Sequence, residues 1–173
     1  MSVDIRPGMV ALLPRLRAFA RGLARSGDTA DDLVQATCEK ALRAVDSWTP
    51  GTRLDSWMFR IMQNHWIDTN RRDRPQTPLD SPAALAVAAE DGERVTEAKL
   101  TLGSVGRVID RMPEDQRAVL VLVCVQDLSY REAAEVLEVP IGTVMSRLSR
   151  ARRTLIEATG PQSRAQRRTG EAK

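Results

Sequence analysis

The chain has 173 residues, a length that suits one domain or two small ones. Hydrophobic residues make up 42% of it but aromatic residues only 3%, so aliphatic side chains must build any core. No apolar run approaches the roughly 20 residues that a membrane-spanning helix needs. Pro7, Gly8 and Pro14 interrupt the N-terminus, which lacks the pattern of a signal peptide. We therefore expect no membrane insertion and a cytoplasmic location.

Metal and cofactor chemistry is not expected. Two cysteines, Cys38 and Cys124, lie far apart in predicted apolar helices, and the chain has a single histidine. This composition offers no set of metal ligands at a usual spacing, so we expect two buried, reduced thiols. Carboxylates scattered over helix starts likewise do not indicate an enzyme. We predict neither a metal nor any other cofactor.

The net charge of +3 is unevenly distributed along the chain. Residues 140–173 contain seven Arg and one Lys against two Glu, a balance of +6, which leaves about −3 on residues 1–139. A basic end behind a mildly acidic remainder suggests that one part of the chain meets nucleic acid and another part meets a different partner.

Helical periodicity falls into two blocks, residues 10–72 and 100–159, and no strand-like alternation persists anywhere. Between the blocks, Pro75, Pro78 and Pro82 interrupt a run rich in Ala, Asp and Glu, which is typical of a linker. The polar, basic segment after Gly160 is predicted to be disordered. The predicted fold class is all-α, with two small helical domains joined by a flexible linker.

In the first block, a turn at Ser26-Gly27-Asp28 precedes a helix that is predicted to start near Thr29 or Ala30. One side of this helix gathers four polar side chains, Asp31, Asp32, Gln35 and Glu39. The aspartates either complement the helix dipole or face a partner that carries arginines. Both interpretations stay open on the sequence alone.

A loop, residues 46–53, then carries Trp48 and a turn signal at Pro50-Gly51. The following helix is predicted from Leu54 to Arg72. We expect Trp57 and Ile61 to belong to the core. Trp48, Asn64 and the arginines at 71–74 are better candidates for nucleic-acid contact, because they combine stacking, hydrogen bonding to base edges and phosphate neutralisation.

The second block contains three predicted helices in close succession. Pro113 suits the first turn of a helix whose apolar run, Ala118 to Val125, should be largely buried. Ser129 and Glu132 have the spacing of a capping box, which starts a second helix that continues to Leu137. After a turn that ends at Pro140, a third helix is predicted from about Ile141 to Glu157. This arrangement predicts a helix–turn–helix.

The last of these helices has an apolar stripe, which comprises Val144, Leu148, Ala151 and Leu155. Polar and basic residues lie on the opposite side and at its margin: Thr143, Ser146, Arg147, Ser149, Arg150 and Arg153. Arg can donate two hydrogen bonds to a guanine edge or neutralise a phosphate, and Ser can bond to either. The bland interpretation is a solvated charged face. The capped helix and short turn that precede it favour a major-groove reader.

Two segments together resemble the extracytoplasmic-function (group IV) sigma factors of bacterial RNA polymerase. LRAFARGLARSGDTADDLVQATCEKALRAVDSWTPGTRLDSWMFRIMQNHWIDTNRR is similar to the family's promoter-melting domain, and MPEDQRAVLVLVCVQDLSYREAAEVLEVPIGTVMSRLSRARRTL to its upstream-element-binding domain. The resemblance covers about two-thirds of the chain, and the segments look most like alphaproteobacterial members. It implies sigma region 2 at residues 8–74, a linker at 75–97, sigma region 4 at 98–160 and a basic tail at 161–173.

The resemblance also implies partners and site residues. The clamp coiled coil of core RNA polymerase would bind Asp31, Asp32, Gln35 and Glu39, and the polymerase flap is a second expected contact. Promoter DNA of the −10 element would meet Trp48, Arg53, Trp57, Arg60, Asn64, Arg71 and Arg72, with a flipped base captured by the loop 46–53. Duplex DNA of the −35 element would meet Thr143, Ser146, Arg147, Ser149, Arg150 and Arg153. Met145 departs from the family pattern, which often has Lys or Arg there. An anti-sigma factor is the further expected partner.

Two other functions compete with this one. A LuxR-type transcriptional regulator uses a similar helix–turn–helix without polymerase, but the first block shows no receiver or ligand-binding pattern. A nuclease would need carboxylates that hold a metal, which the single histidine and the scattered acids do not favour. We therefore predict a sigma factor, which reads −35 duplex and stabilises melted −10 DNA.

Overall fold

The computed structural model of the protein describes residues 4–24, 26–73 and 105–159, with the backbone alone at 72, 73 and 159. The first bundle consists of α1 (Arg6–Leu23), α2 (Gly27–Arg43), a 3₁₀ turn (Val45–Ser47) and α3 (Leu54–Asp73). The second consists of α4, described at 105–111, α5 (Glu114–Leu120), a π-helical turn (Val121–Val125), α6 (Tyr130–Leu137) and α7 (Ile141–Thr159). The all-α prediction is confirmed over these residues. The predicted linker, 75–97, and tail, 161–173, lie outside them.

The core of the first bundle forms around two aromatic rings. Phe19 of α1 and Phe59 of α3 are fully buried and meet edge to face, with their ring centroids 5.3 Å apart. Leu16 and Met62 are buried with them. Trp57 and Ile61, which we expected in the core, are only half-buried and pack against its edge.

Helix α2 begins at Gly27, earlier than the predicted start near Thr29 or Ala30. The reason lies in Ser26, whose extended backbone occupies the N-cap position and whose carbonyl oxygen accepts a bond of 3.0 Å from the Ala30 N–H. The residues expected to form the turn are therefore the first turn of the helix. Asp28 is the acidic residue of that turn, while Asp31 and Asp32 lie beyond it.

The second bundle contains the predicted capping box. The Ser129 hydroxyl accepts from the Glu132 N–H at 3.2 Å, and Glu132 Oε2 accepts from the Ser129 N–H at 2.7 Å. These bonds satisfy two backbone donors at the start of α6. Helix α6 ends at Leu137, and Glu138 after it has a left-handed backbone with φ of 53°. Pro140 then precedes α7, and its carbonyl accepts from the Thr143 N–H at 2.9 Å.

The helix that starts at Glu114 differs from the prediction at its C-terminal end. It widens into a π-helical turn, where the Gln126 N–H bonds to the Val121 carbonyl at 2.9 Å. The wider turn changes the direction of the side chains, so that Cys124 is exposed and Val125 is 62% exposed. Ala118 to Leu122 are buried, in line with the expectation that the run is largely buried, but the expectation of a buried Cys124 is wrong. Cys38 is half-buried, and burial raises the pKa of its thiol despite the nearby Arg17.

The two bundles pack against each other through α1. Arg117 of α5 is only 2% exposed, and its guanidinium donates to the carbonyls of Gly22 and Leu23 at the end of α1, the latter at 2.9 Å. Gly22 lies so close to the π-helical turn that a Cβ built there would be 3.0 Å from Val121 Cγ2. The sequence predicted two domains, but not that their faces would share one core.

Candidate nucleic-acid interface

The polar side of α2 forms one exposed acidic surface. Asp31, Asp32, Gln35 and Glu39 are all exposed, while Ala30, Leu33, Val34, Thr37 and Ala41 on the other side are buried. Gln35 Nε2 donates to Glu39 Oε1 at 3.3 Å. Asp31 and Asp32 lie past the first turn, where the helix dipole has little effect. This position favours a partner with positive charge over the dipole interpretation.

The loop between α2 and α3 is stabilised by short local bonds. Ser47 Oγ donates to the Ala44 carbonyl at 2.7 Å, and Thr52 Oγ1 donates to the Thr49 carbonyl at 2.6 Å. Gly51 has φ of 88°, a conformation that favours glycine. Trp48 is half-buried against the core, and its indole N–H is buried without a hydrogen-bond partner among the described residues. The loop thus has a defined shape in which Trp48 is half-buried.

Asp55 connects this loop to α1. Its Oδ2 accepts from Arg15 Nη1 at 2.6 Å and from Arg53 Nη2 at 2.7 Å, and its Oδ1 accepts from Arg53 Nε at 3.1 Å. Burial alone would raise the pKa of this carboxyl, but bonds from Arg53, Arg15 and the Ser56 N–H outweigh it and lower the pKa to about 2. Arg53 is therefore held in one orientation at the end of the loop.

Sequence reasoning missed the part that Arg15 plays here. Its guanidinium also lies 5.5 Å from the centre of the Phe59 ring, and its Nε donates to Gln126 Oε1 at 2.9 Å. One signal could have indicated it, namely an arginine that follows an apolar run within α1. Its partners are 40 and 111 residues away, so the sequence could not identify them.

The predicted −10 residues on α3 lie on one side of the helix. Arg60, Asn64 and Arg71 are exposed and Trp57 is half-exposed. Arg53 precedes the helix on the same side, and its side chain is 45% exposed. The Arg72 side chain lies outside the described residues. The structure therefore aligns Arg53, Trp57, Arg60, Asn64 and Arg71 in a row, which we call the α3 face.

Helix α7 presents the predicted −35 residues to solvent. Val144, Leu148 and Ala151 are buried, as the stripe predicted, while Leu155 is half-buried. On the other side the exposed residues are Ser146, Ser149, Arg150 and Arg153. Thr143 and Arg147 are half-buried at the margin, and Arg147 Nε is 3.0 Å from Asp115 Oδ2. A phosphate would have to share Arg147 with this carboxylate.

Met145 lies on a flank of α7 next to an open apolar groove. The side chain is 52% exposed, and the groove, of about 650 Å³, is also lined by Tyr130, Leu148 and Ile156. Met145 thus adds apolar surface at the position where the family resemblance led us to expect Lys or Arg.

Two further observations concern the described residues as a whole. No group of three or more His, Cys, Asp or Glu among them could hold a metal ion. None of the helices within the described ranges is long and apolar enough to cross a membrane.

Comparison with known proteins agrees with the geometry in both bundles. The family described as Sigma-70 region 2 matches residues 9–76, and the family described as Sigma-70, region 4 matches residues 102–155. The chain is 37% identical over 153 residues to the ECF RNA polymerase sigma factor EcfG of Rhodopseudomonas palustris, which covers 88% of the chain and 83% of that relative. It is 32% identical over 148 residues to SigM of Mycobacterium tuberculosis, with 84% and 72% covered.

A solved structure of a relative has the same fold. The sigma factor RpoE of Bartonella quintana, in complex with the anti-sigma factor NepR, is 31% identical and superposes with a TM-score of 0.70 over 89% of this chain and 95% of that one. The match to EcfG fits the alphaproteobacterial resemblance of the sequence. With both regions present and relatives matched over most of their length, the chain belongs to the extracytoplasmic-function family of RNA polymerase sigma factors.

Proposed function

We propose that this sigma factor divides promoter recognition between its two bundles. As an alternative sigma factor it binds core RNA polymerase, directs it to promoters and is not an enzyme. The regulator interpretation has no support, because region 2 occupies residues 9–76. The domain limits that we propose are those of the sequence: 8–74, 75–97, 98–160 and 161–173.

The −35 element is assigned to α7. Ser146, Ser149 and Arg150 would meet base edges in the major groove, because all three are exposed on the side away from the core. Arg147 and Arg153 would contact phosphates, and Thr143 lies at the margin of the same surface. A row of short polar and long basic side chains on one helix suits this division between base edges and backbone.

The −10 element is assigned to the loop 46–53 and the α3 face. Melted DNA exposes unstacked bases and phosphates at irregular positions, which cationic and amide side chains on a rigid support can bind. Arg60, Asn64 and Arg71 are exposed and would bind the melted strand. Asp55 orients Arg53 beside them. Trp48 would form one wall of the site for a flipped base, with a cost of unstacking of a few kcal/mol offset by the pocket.

Core polymerase is assigned to the acidic surface of α2. Asp31, Asp32, Gln35 and Glu39 are exposed together and face away from the bundle core. We propose that they meet arginines of the clamp coiled coil, while the polymerase flap contacts the second bundle. Because polymerase is the common support, it would fix the distance between the two DNA surfaces.

The single observation that carries this proposal is the presence, in one chain, of two exposed cationic–polar surfaces on regions 2 and 4. Run-off transcription with core polymerase over a promoter library tests it. We expect transcripts that depend on the protein and share one −35 and −10 pair. Failure of the chain to form a stable complex with core polymerase would overturn the proposal.

We also propose that an anti-sigma factor controls this chain in the cytoplasm, where polymerase acts. The Bartonella quintana relative was solved in complex with the anti-sigma factor NepR, and CnrH, 28% identical, with the cytosolic domain of CnrY. Co-purification of the chain with a NepR-like protein, and loss of run-off transcription when that protein is added, would support this control.

A further inference from the structure

Three donors of the first bundle are each bonded to a glutamate of the second. Arg53 Nη1 donates to Glu132 Oε1 at 2.5 Å, and Asn64 Nδ2 donates to Glu138 Oε1 at 3.3 Å. Trp66 Nε1 donates to Glu114 Oε1 at 2.8 Å. The three carboxylates come from three different places, which are the first turn of α5, the first turn of α6 and the end of α6. Together we call them the glutamate contact.

Two of these donors belong to the α3 face that is assigned to −10 DNA. Arg53 and Asn64 would offer the same N–H groups to phosphates and base edges that they offer here to carboxylates. A carboxylate resembles a phosphate in charge and in its acceptor oxygens, so the two cannot occupy one donor together. Helix α6 packs along α3, which keeps Glu132 and Glu138 beside these two donors.

Other contacts hold the bundles in this arrangement without touching any proposed DNA surface. Arg117 is buried and donates to Gly22 and Leu23 at the C-terminus of α1, where carbonyl oxygens lack helical partners. Arg15 Nη2 donates to the Gln126 carbonyl at 2.8 Å. These contacts thus fix the arrangement of the two bundles at a second place, away from the glutamate contact.

The −35 surface is in a different situation. Ser146, Ser149, Arg150 and Arg153 are exposed in the same conformation in which Arg53 and Asn64 are engaged. The arrangement therefore engages two donors of one proposed promoter-binding surface and leaves the other surface exposed. This asymmetry is what a competition limited to the −10 surface requires.

We propose that the second bundle is an internal competitor of −10 DNA, in which Glu132 and Glu138 occupy two donors of the α3 face and Glu114 holds the bundles together at the nearby Trp66. This inference rests on the proposed function and adds regulation to it. The chain must separate α6 from α3 before melted DNA can bind, whereas duplex DNA can bind α7 beforehand. The bonds to Glu132 and Glu138 involve exposed or half-exposed side chains, so binding of polymerase and DNA can displace them.

The test uses the full chain with two substitutions, Glu114→Ala and Glu138→Asn. Glu132 is kept because its capping box supports α6. Asn suits position 138, where φ is 53°, so the turn before α7 should be preserved. The matched control is Glu135→Ala with Glu157→Ala, which removes the same charge from exposed sites of the same bundle. Helical content by circular dichroism verifies that each variant folds.

The probe is a fluorescein-labelled single strand of random sequence, about 12 nucleotides long, with a duplex of similar length alongside. Apparent affinity scales with the fraction of open chain, so we expect the variant to bind the single strand about three- to tenfold more tightly than the control. Duplex affinity should be equal in the two. If variant and control bind the single strand equally, the inference is overturned. If the variant does not fold, Glu138→Asn alone is compared with Glu135→Ala.

Run-off transcription by the wild-type chain separates this inference from the proposed function. Transcription together with equal single-strand affinities would reject the internal competitor and leave the sigma function in place. A specific gain in single-strand affinity without any transcription would reject the proposed function while the competition between the glutamates and DNA stands.

Discussion

Asp55 orients an arginine at the end of the loop 46–53. It accepts from two arginines at once, Arg53 at the end of the loop 46–53 and Arg15 within α1. The folded-state pKa of about 2 lies below the usual 3.8, so the charged form stabilises the fold. That contribution is present above about pH 4 and is lost as pH falls through the folded pKa.

Replacing Asp55 should therefore cost stability in a pH-dependent way. We expect Asp55→Asn to lower the free energy of unfolding by about 1–2 kcal/mol near pH 7, after allowance for the half-exposed arginines. The difference from the wild-type chain should shrink as pH falls from about 4 towards 2. Urea unfolding followed by circular dichroism measures it. Asp68→Asn, an exposed site on α3, is the control, and a difference independent of pH would contradict this explanation.

Arg117 gives a second prediction at the scale of one residue. Lysine keeps the charge but offers a single ammonium in place of the forked guanidinium that bonds to several carbonyls. We expect Arg117→Lys to lower the free energy of unfolding by about 2 kcal/mol, because buried carbonyls lose charged donors. The radius of gyration from small-angle scattering should rise as the bundles separate. An unchanged radius together with unchanged stability would show that Arg117 does not hold the bundles together.

At the scale of elements, α2 and α7 each have one buried and one exposed side, and the exposed sides differ in charge. Helix α2 presents carboxylates, while α7 presents serines and arginines. The helical period places the members of each set together, and the bundle core keeps both helices rigid. A protein surface with arginines and a DNA groove are the partners that we propose for α2 and α7.

Two aspartates of α2 separate the partner interpretation from the dipole interpretation. Asp28 lies in the first turn and Asp32 beyond it, and both are exposed. We expect Asp32→Asn to weaken binding to core polymerase about tenfold with little change in thermal stability, since a desolvated charge pair at an interface is lost. Asp28→Asn should lower stability by about 0.5 kcal/mol and leave binding intact. Competition binding and thermal melting measure both, and equal effects of the two changes would reject the assignment.

Two arginines of α7 should differ in what they recognise. Arg150→Ala, at a base-edge position, should cost about 1–3 kcal/mol on the preferred −35 sequence and relax the preference at one base pair. Arg153→Ala, at a phosphate position, should weaken all sequences alike and reduce the salt dependence by about one counterion. The measurement is a salt titration of duplex binding by the holoenzyme. Arg131→Ala on exposed α6 is the control, and an effect of similar size there would contradict the assignment.

Local patterns in the sequence predicted the elements of this fold well. The capping box at Ser129 and the stripe at Val144, Leu148 and Ala151 depend on neighbours within one turn or two, so the sequence contains their cause. The π-helical turn was missed because a run of apolar residues has no register signal that distinguishes it from an α-helix. The Arg15–Asp55–Arg53 bridge joins residues far apart in the chain, and no local pattern indicates such a partnership.

At the scale of the whole molecule, the two bundles pack together in the described conformation, and we propose that they separate on a promoter. In the described conformation they share one core, and the glutamate contact covers part of the α3 face. On a promoter, polymerase would instead hold them apart at the distance between the −35 and −10 elements. On this proposal, the two surfaces on α3 and α7 would act as separate anchors only in the open arrangement, and their spacing would become part of the recognition.

Transcription as a function of promoter spacing tests this account most directly. Run-off transcription with core polymerase and the full chain is measured on a promoter from the library and on variants whose spacer between the two elements is longer or shorter by about 5 base pairs, half a helical turn. We predict strong transcription at the original spacing and almost none at either altered spacing, because α7 would then face the wrong side of the duplex. Transcription that is indifferent to spacing, or absent with every template, would contradict the account.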